Sequence, residues 1–313
     1  MPGLSDLSSW WTSPPPAVGL EFTAAQVTAV AVAAGAPLPV AARHATVPLP
    51  PGALVPALAT TNVVDRAAVS EAVRQALEAV GRPRRIAVVL PDVVARLAVV
   101  RLDSVPGRVE ERDQLLRWHV RKAAPFEVDA AQVSIAPGRR LDDGAQEFVV
   151  ALALREVVRE YEEVCAAASA QAGVVDVATS ALIHLAGRQP GRQAGDWMLV
   201  HLGADYSTLA IVRDRVPIFF RSRGPDAEGS LADTVHQAAM YYEDRLSGQA
   251  LQTVVVVDPA NDADTLVAIE TTVRQRWQVG VEPLDLSQAV QFGDRIGVSA
   301  GASAVMAAAA GIV

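Results

Sequence analysis

Apolar residues in this chain recur in two rhythms, and the switches between them predict its elements. Val69, Val73, Leu77 and Val80 fall at helical spacing, with Asp65 placed to cap the start and Gly81 to close the end, so a helix is expected over 65–80. The unbroken apolar run 86–90, ended by Pro91, suits a buried strand. Residues 96–102 alternate and predict another strand, and 110–124 reads as an amphipathic helix stopped by Pro125. Two strands, 132–137 and 146–153, flank the turn signature Leu141, Asp142, Asp143, Gly144 and predict a hairpin. A long helix over 155–172 and a short strand over 174–177 follow. Glycine, proline and polar residues then fill 187–195, which reads as a linker with little to bury. Beyond it come strands at 197–202, 208–213 and 216–221, a helix at 231–246, a strand at 253–257 and a helix at 262–278.

One pattern occurs twice. From Val18 the chain runs as an apolar strand, a carboxylate, a short polar turn and a second strand. From Leu199 it does so again at an offset of 180, so that Leu20 corresponds to Val200 and Glu21 to His201. Each copy leads into a third strand, 43–47 in the first and 216–220 in the second. Two such halves are the plan of the actin-like nucleotide-binding fold, an α/β class in which paired turns grip phosphates from opposite sides.

Composition narrows the function. With 51% hydrophobic and 20% charged residues the chain is globular, and 313 residues are enough for two cores. A net charge of −8 argues against broad nucleic-acid binding, which needs a surplus of cations to release counterions. Lys122 is the only lysine, and it stands in neither a P-loop nor a protein-kinase strand, which argues against both classes and against Schiff-base chemistry. Cys165 is the only cysteine, which rules out an internal disulfide and a multi-cysteine metal site and fits a reducing compartment. His44, His119, His184, His201 and His236 show no metal-ligand spacing, and no metal site is expected. The N-terminus lacks a secretory pattern. Leu4, Leu7, Trp10 and Trp11 precede three prolines and read as a tail separable from the fold, while the uncharged, Ala/Gly/Ser-rich stretch 296–313 is expected to be a close-packed helix rather than a membrane span.

Several segments in this order resemble the PilM-type actin-like proteins of type IV pilus assembly. The run from Gln114 to Ser134 has the family's helix with arginine and tryptophan, its Pro-Phe, its acidic stretch and its strand; Trp197 to Arg221 is similar to the second phosphate hairpin; the closing Ala/Gly-rich stretch is similar to the last helix. The resemblance spans the chain from about Ser13 onward. It implies subdomains like those of FtsA-type division proteins: a tail (1–16), a first actin-like half (17–94 with 154–190), an inserted subdomain (95–153) and a second half (191–313). It implies a cytoplasmic protein at the inner face of the inner membrane, attached through its partners. That partner would be the N-terminal cytoplasmic tail of a PilN-like single-pass membrane protein, coupled in turn to the assembly platform and motor. Trp118, Arg121, Lys122, Pro125 and Phe126 are the candidate tail-binding residues, with apolar anchors beside cations.

In the family ATP binds between the halves, and here the matching residues depart from the pattern. The first turn has Glu21, Thr23, Ala24 and Ala25 where an aspartate and a glycine are usual. The second has His201 in place of an aspartate, although Gly203, Ser207 and Thr208 remain. The adenosine turn becomes Asp258, Pro259, Ala260 and Asn261. Glu21, Thr23, His201, Gly203, Ser207 and Thr208 are thus the candidates for a degenerate site that binds ATP and Mg²⁺ weakly or not at all, with no catalytic residue. Restoring glycine at 23 and aspartate at 201 is expected to improve binding if the pocket is otherwise intact. The expected function is a non-catalytic scaffold of a pilus or related secretion platform. The alternatives are an active ATPase or sugar kinase of the same fold, which would need glycine in the first turn and a carboxylate in the second, and a filament-forming division-type protein.

Overall fold

The computed structural model describes residues 16–35, 38–189, 192, 194–203, 205–224, 229–258 and 263–293. The N-terminal tail, the closing Ala/Gly-rich stretch and residues 259–261 of the adenosine turn lie outside the described residues.

The repeat seen in the sequence is a repeat of hydrogen-bonding register. Strands β1 (Val18–Phe22), β2 (Gln26–Ala33), β3 (Val40–Pro48), β4 (Arg85–Leu90) and β8 (Gln171–Val177) form one sheet in the order β3-β2-β1-β4-β8. Strands β9 (Asp196–Leu202), β10 (Ser207–Arg213), β11 (Val216–Arg223), β12 (Val254–Val257) and β13 (Val281–Pro283) form a second in the order β11-β10-β9-β12-β13. In the first hairpin Glu21 faces Thr28; in the second His201 faces Thr208, so both members of each pair are offset by 180. On the other side, β1 pairs in parallel with β4 and β9 in parallel with β12. The duplication therefore extends through five strands.

The first core lies between one face of the first sheet and helices α1 (Arg66–Val80) and α3 (Arg155–Ala167), where Leu20, Phe22, Ile86 and Val88 meet Val73, Leu77 and Tyr161. Asp65 accepts from the Ala68 amide at 3.0 Å and Gly81 closes α1 at a φ of 109°, a conformation that costs glycine little. The other face packs on α4 (Ala178–Gly187), whose Leu182, Ile183 and Ala186 also touch Trp197 and Leu199 of the second sheet. In the second half α5 (Leu231–Arg245) and α6 (Ala263–Trp277) cover Val200, Leu209 and Ile211. A Ser230–Asp233 capping box starts α5. Among the described residues no helix is long and apolar enough to cross a membrane.

A third sheet, β5-β7-β6, is made of β5 (Ala95–Leu102), β6 (Ala131–Arg140) and β7 (Gln146–Leu154). Its Phe148, Val150 and Leu152 pack against Leu116 and Val120 of α2 (Val109–Val120). The expected helix over 110–124 thus stops at Val120, five residues before the proline. The expected helix over 155–172 is also shorter than its pattern. Ser169 takes a positive φ of 62°, and Gln171 already opens strand β8, which begins three residues earlier than alternation alone suggested.

Two further corrections concern the second half. The stretch 187–195 is not a bare linker: Gln189 and Arg192 are buried, Gln189 Nε2 donates to the Asp285 carbonyl, and Arg192 pairs with Gln189 and Glu282. Farther on, Leu286, Ala289 and Val290 pack with Val30, Ala41 and Leu185, and strand β14 (Gln291–Phe292) joins β3 of the first sheet. The chain after β13 therefore returns to the first sheet.

Candidate functional site

The two hairpin turns face each other across a cavity of about 600 Å³. Thr23, Ala24 and Ala25 line it from the first half, Asp205, Tyr206 and Gly224 from the second, and Leu54, Val55, Pro56, Pro91 and Val93 close its sides. The Val55–Pro56 wall is fixed from behind. Glu160 accepts from the amides of Asn62 and Val63 at 2.7 and 2.8 Å, and Tyr161 donates to Asn62 Oδ1 at 2.8 Å.

Four of the candidate nucleotide residues, Thr23, His201, Gly203 and Thr208, are already engaged within the fold. Thr23 Oγ1 donates to the Gln26 carbonyl and accepts from the Gln26 amide, both at 3.1 Å, so its hydroxyl closes its own turn. Thr208 Oγ1 donates to Ser222 at 2.9 Å, and Ser207 is buried beside it. Gly203 persists, but its open side is filled: a Cβ there would overlap the ring of Tyr206. That ring meets His201 edge-on at 5.5 Å. The phenol is pushed well above its ordinary pKa, first by burial and then by the nearby Asp92 and Glu21 carboxyls.

Beneath the cavity lies a buried polar cluster that no local sequence motif announces. His201 Nδ1 stands 3.1 Å from Asp92 Oδ2 and 3.2 Å from Thr179 Oγ1. Thr179 donates both its amide, at 2.8 Å, and its hydroxyl to the Asp92 carboxylate. Asp92 follows β4, Thr179 lies in the first turn of α4 and His201 is the penultimate residue of β9, so the cluster ties the two halves together. Burial alone would raise the Asp92 pKa. The His201 bond and charge and the two Thr179 bonds outweigh it and hold Asp92 below the usual carboxylate range. Glu21 has no such support: burial, then repulsion from Asp92, raises it to about 8, and its Oε2 is buried without a partner. Near neutral pH it is a neutral acid.

These residues do not fit a magnesium–triphosphate group. A metal site needs ionised carboxylate oxygens, whereas Glu21 holds its proton and Asp92 is taken up by His201 and Thr179. Among the described residues no arginine or lysine lines the cavity to meet phosphates, and Tyr206 covers the glycine that a phosphate would approach. Among the described residues no group of three or more His, Cys, Asp or Glu is arranged to hold a metal ion.

A second concavity, about 440 Å³, separates the first sheet from the third. One wall is the outward face of β6 and β7, with Gln132, Ser134 and Ala136 beside Val149, Ala151 and Ala153; the other is Ala172 to Val177 of β8, with Glu162 and Ser180. Because β8 is the last strand of its sheet among the described residues, one row of its backbone groups has no strand partner there. Asp176 lies in this groove. Its Oδ1 accepts from Val177 at 2.8 Å, its Oδ2 is buried with no well-formed hydrogen bond, and burial raises its pKa against the opposing pull of the Val177 amide and the nearby Ser180 hydroxyl.

The residues singled out in the sequence for tail binding lie on α2 and in the segment just after it. Trp118 is 55% exposed on α2, with the Arg121 guanidinium 4.7 Å from its ring centroid. Lys122 and Pro125 are exposed, and Phe126 is half-buried at the rim of the α2 core. None lines the groove, because α2 covers the opposite face of the third sheet. The groove residues did leave a signal in the sequence, the small side chains Ser134, Ala136, Ala151 and Ala153 at alternate positions of two strands.

Paired hairpin turns at the mouth of an interdomain cleft, on two sheets of the same order and register, define an actin-like ATPase fold. No protein-family profile and no curated protein sequence matches the chain. Among solved structures, the PilM–PilN type IV pilus biogenesis complex is similar over 96% of this chain and 98% of that one, with a TM-score of 0.76 and 19% identity. The cytoplasmic domain of EpsL, an inner membrane component of the type II secretion system of Vibrio cholerae, is similar over 94% and 93% respectively, with a TM-score of 0.51 and 12% identity. A protein of unknown function from Bacteroides thetaiotaomicron, described as having an actin-like ATPase fold, gives a TM-score of 0.51 at 8% identity over 92% and 96%. At these identities the likeness is one of fold.

Proposed function

We propose that this protein is a non-catalytic actin-like adaptor of a type IV pilus or related secretion platform. It holds the N-terminal cytoplasmic tail of a PilN-like inner-membrane protein and works without ATP turnover. The observation that carries the reading is the groove between β8 and the third sheet. It has an open strand edge, a floor of small side chains and one buried acceptor, Asp176 Oδ2, with no well-formed hydrogen bond. An extended peptide adds naturally to such an edge, gaining main-chain hydrogen bonds while pockets accept alternate side chains. The unsatisfied acceptor favours a tail that brings a donor or a cation to Asp176, since leaving a buried acceptor unmade costs about 1–3 kcal/mol. The likeness in fold to a protein solved with PilN supports the same reading, as does the cavity between the turns, where no described residue offers phosphates a cation. Hydrolysis on this fold depends on metal and water set against a γ-phosphate, and the residues here are poorly suited to hold either.

The test is peptide affinity by calorimetry or fluorescence anisotropy, using a synthetic N-terminal cytoplasmic tail of a PilN-like single-pass membrane protein. Ala151 and Ser134 face each other on the groove floor, so Ala151→Trp fills it from the solvent side. Binding should fall at least tenfold, about 1.4 kcal/mol, with the circular dichroism spectrum unchanged. Wild-type affinity in the filled variant would remove the groove from consideration.

A further inference from the structure

The exposed end of α2, which the tail-binding groove leaves unused, carries a chemistry of its own. Between Gln114 and Phe126 there is no acidic residue, while Arg117, Arg121 and Lys122 fall within six positions of one another. Among the described residues none of these three cations forms an ion pair, whereas the nearby Arg112 is held by Asp113 at 2.8 Å and Arg108 reaches toward Glu111. This island stands on a chain whose net charge is −8. On the same side Trp118 is 55% exposed, its ring covered by the Arg121 guanidinium at 4.7 Å and met edge-on by His119 at 5.1 Å. The opposite side of the helix is committed to the core through the fully buried Leu116 and Val120. Glu127 and Asp129 come only after the chain has turned toward β6.

We infer that this tip is a contact for an anionic lipid surface. Trp118 would lie at the headgroup level, and Arg117, Arg121 and Lys122 would pair with lipid phosphates. Charge complementarity names the occupant: clustered Lys and Arg are drawn to anionic leaflets, and an amphipathic tryptophan prefers the boundary between headgroup and hydrocarbon. A single patch of this size gives reversible binding and needs a second tether for stable anchoring. The tip is placed to act beside such a tether. Val120 clusters with Ala131, the first residue of β6, and Gln132 next to it lines one end of the groove. A membrane protein's tail held in the groove would therefore bring the patch near the bilayer. The lipid contact itself requires no peptide and stands independently of the tail reading.

The experiment is co-sedimentation of the purified full chain, without peptide, on vesicles of phosphatidylcholine alone and on vesicles containing phosphatidylglycerol. Wild type should bind only the anionic vesicles, and raising salt from about 0.05 to about 0.5 M should release it. Arg117→Gln, Arg121→Gln and Lys122→Gln together should weaken binding about a hundredfold, near fivefold per cation. Trp118→Ala should weaken it further at either salt. Trp118, Arg121 and Lys122 are exposed and Arg117 is only half-buried, so circular dichroism should be unchanged. Equal binding to both vesicle types, salt-insensitive binding, or full binding by the triple variant would overturn the proposal. So would no binding to anionic vesicles by a folded protein, which would turn the patch toward an acidic protein instead. Peptide affinity measured without vesicles is a separate readout, so failure here and failure of the groove reading are distinguishable.

Discussion

Replacing Glu21 by glutamine should make the protein more stable, and increasingly so as pH rises. In an unfolded chain this carboxyl releases its proton near 4.5, whereas burial and the neighbouring Asp92 hold it protonated in the fold up to about 8. Between those values the folded state binds one proton more than the unfolded state, so stability falls with rising pH, by about 1.4 kcal/mol per unit. The penalty is absent below the unfolded pKa and complete above the folded one. Integrated over the window it reaches roughly 5 kcal/mol at the ceiling, and water entering the opened site would lower that. Glutamine keeps the shape of the protonated acid and cannot ionise. Wild type and Glu21→Gln should therefore unfold in urea within about 1 kcal/mol of each other near pH 5, and diverge to about 2–5 kcal/mol near pH 8. Urea titrations followed by circular dichroism at several pH values read this directly. Parallel stability curves, with a constant offset from acid to base, would refute the claim that Glu21 is a buried neutral acid. They would also reopen the first turn as a metal site.

The cluster joining the halves predicts the opposite sign elsewhere. His201→Leu leaves the Asp92 carboxylate buried with only Thr179, and should cost about 3 kcal/mol at neutral pH in the same urea titration. Asp92 has a lowered folded pKa, so that cost should shrink as pH falls through it and the carboxylate of both proteins becomes protonated. The pair Thr23→Gly and His201→Asp should not restore nucleotide binding, contrary to what the turns alone suggested. Tyr206 still covers Gly203, and the new carboxylate joins Asp92 and Glu21 without a cation. Calorimetry with ATP and Mg²⁺ showing micromolar affinity in that variant would contradict this.

The sequence by itself determined the fold. The 180-residue repeat places Glu21 opposite Thr28 and His201 opposite Thr208 because alternation in a strand fixes which residues face a given side, and a slip of one would turn each core face outward. Capping residues such as Asp65 and Gly81 fixed helix ends for the same local reason. Where the pattern misled, long-range contacts had overridden it. Gln171 is drawn into β8 by pairing with Arg85, although its neighbours favour a helix. Gln189 and Arg192 are buried by Asp285 and Glu282, about ninety residues away.

The departures at Thr23 and His201 were also legible, since each residue type is visible in place. What replaces the lost chemistry was not. Asp92, Thr179 and His201 lie on three separate elements and meet only when the halves close, and the proton on Glu21 is set by burial, which no single position records. The groove followed the same logic. Its floor was written in alternating small residues, but which face of the third sheet turned toward β8 was decided by α2, which buries Leu116 and Val120 against the other one. Sequence periodicity states that a face is apolar or small; only packing decides what lies across from it.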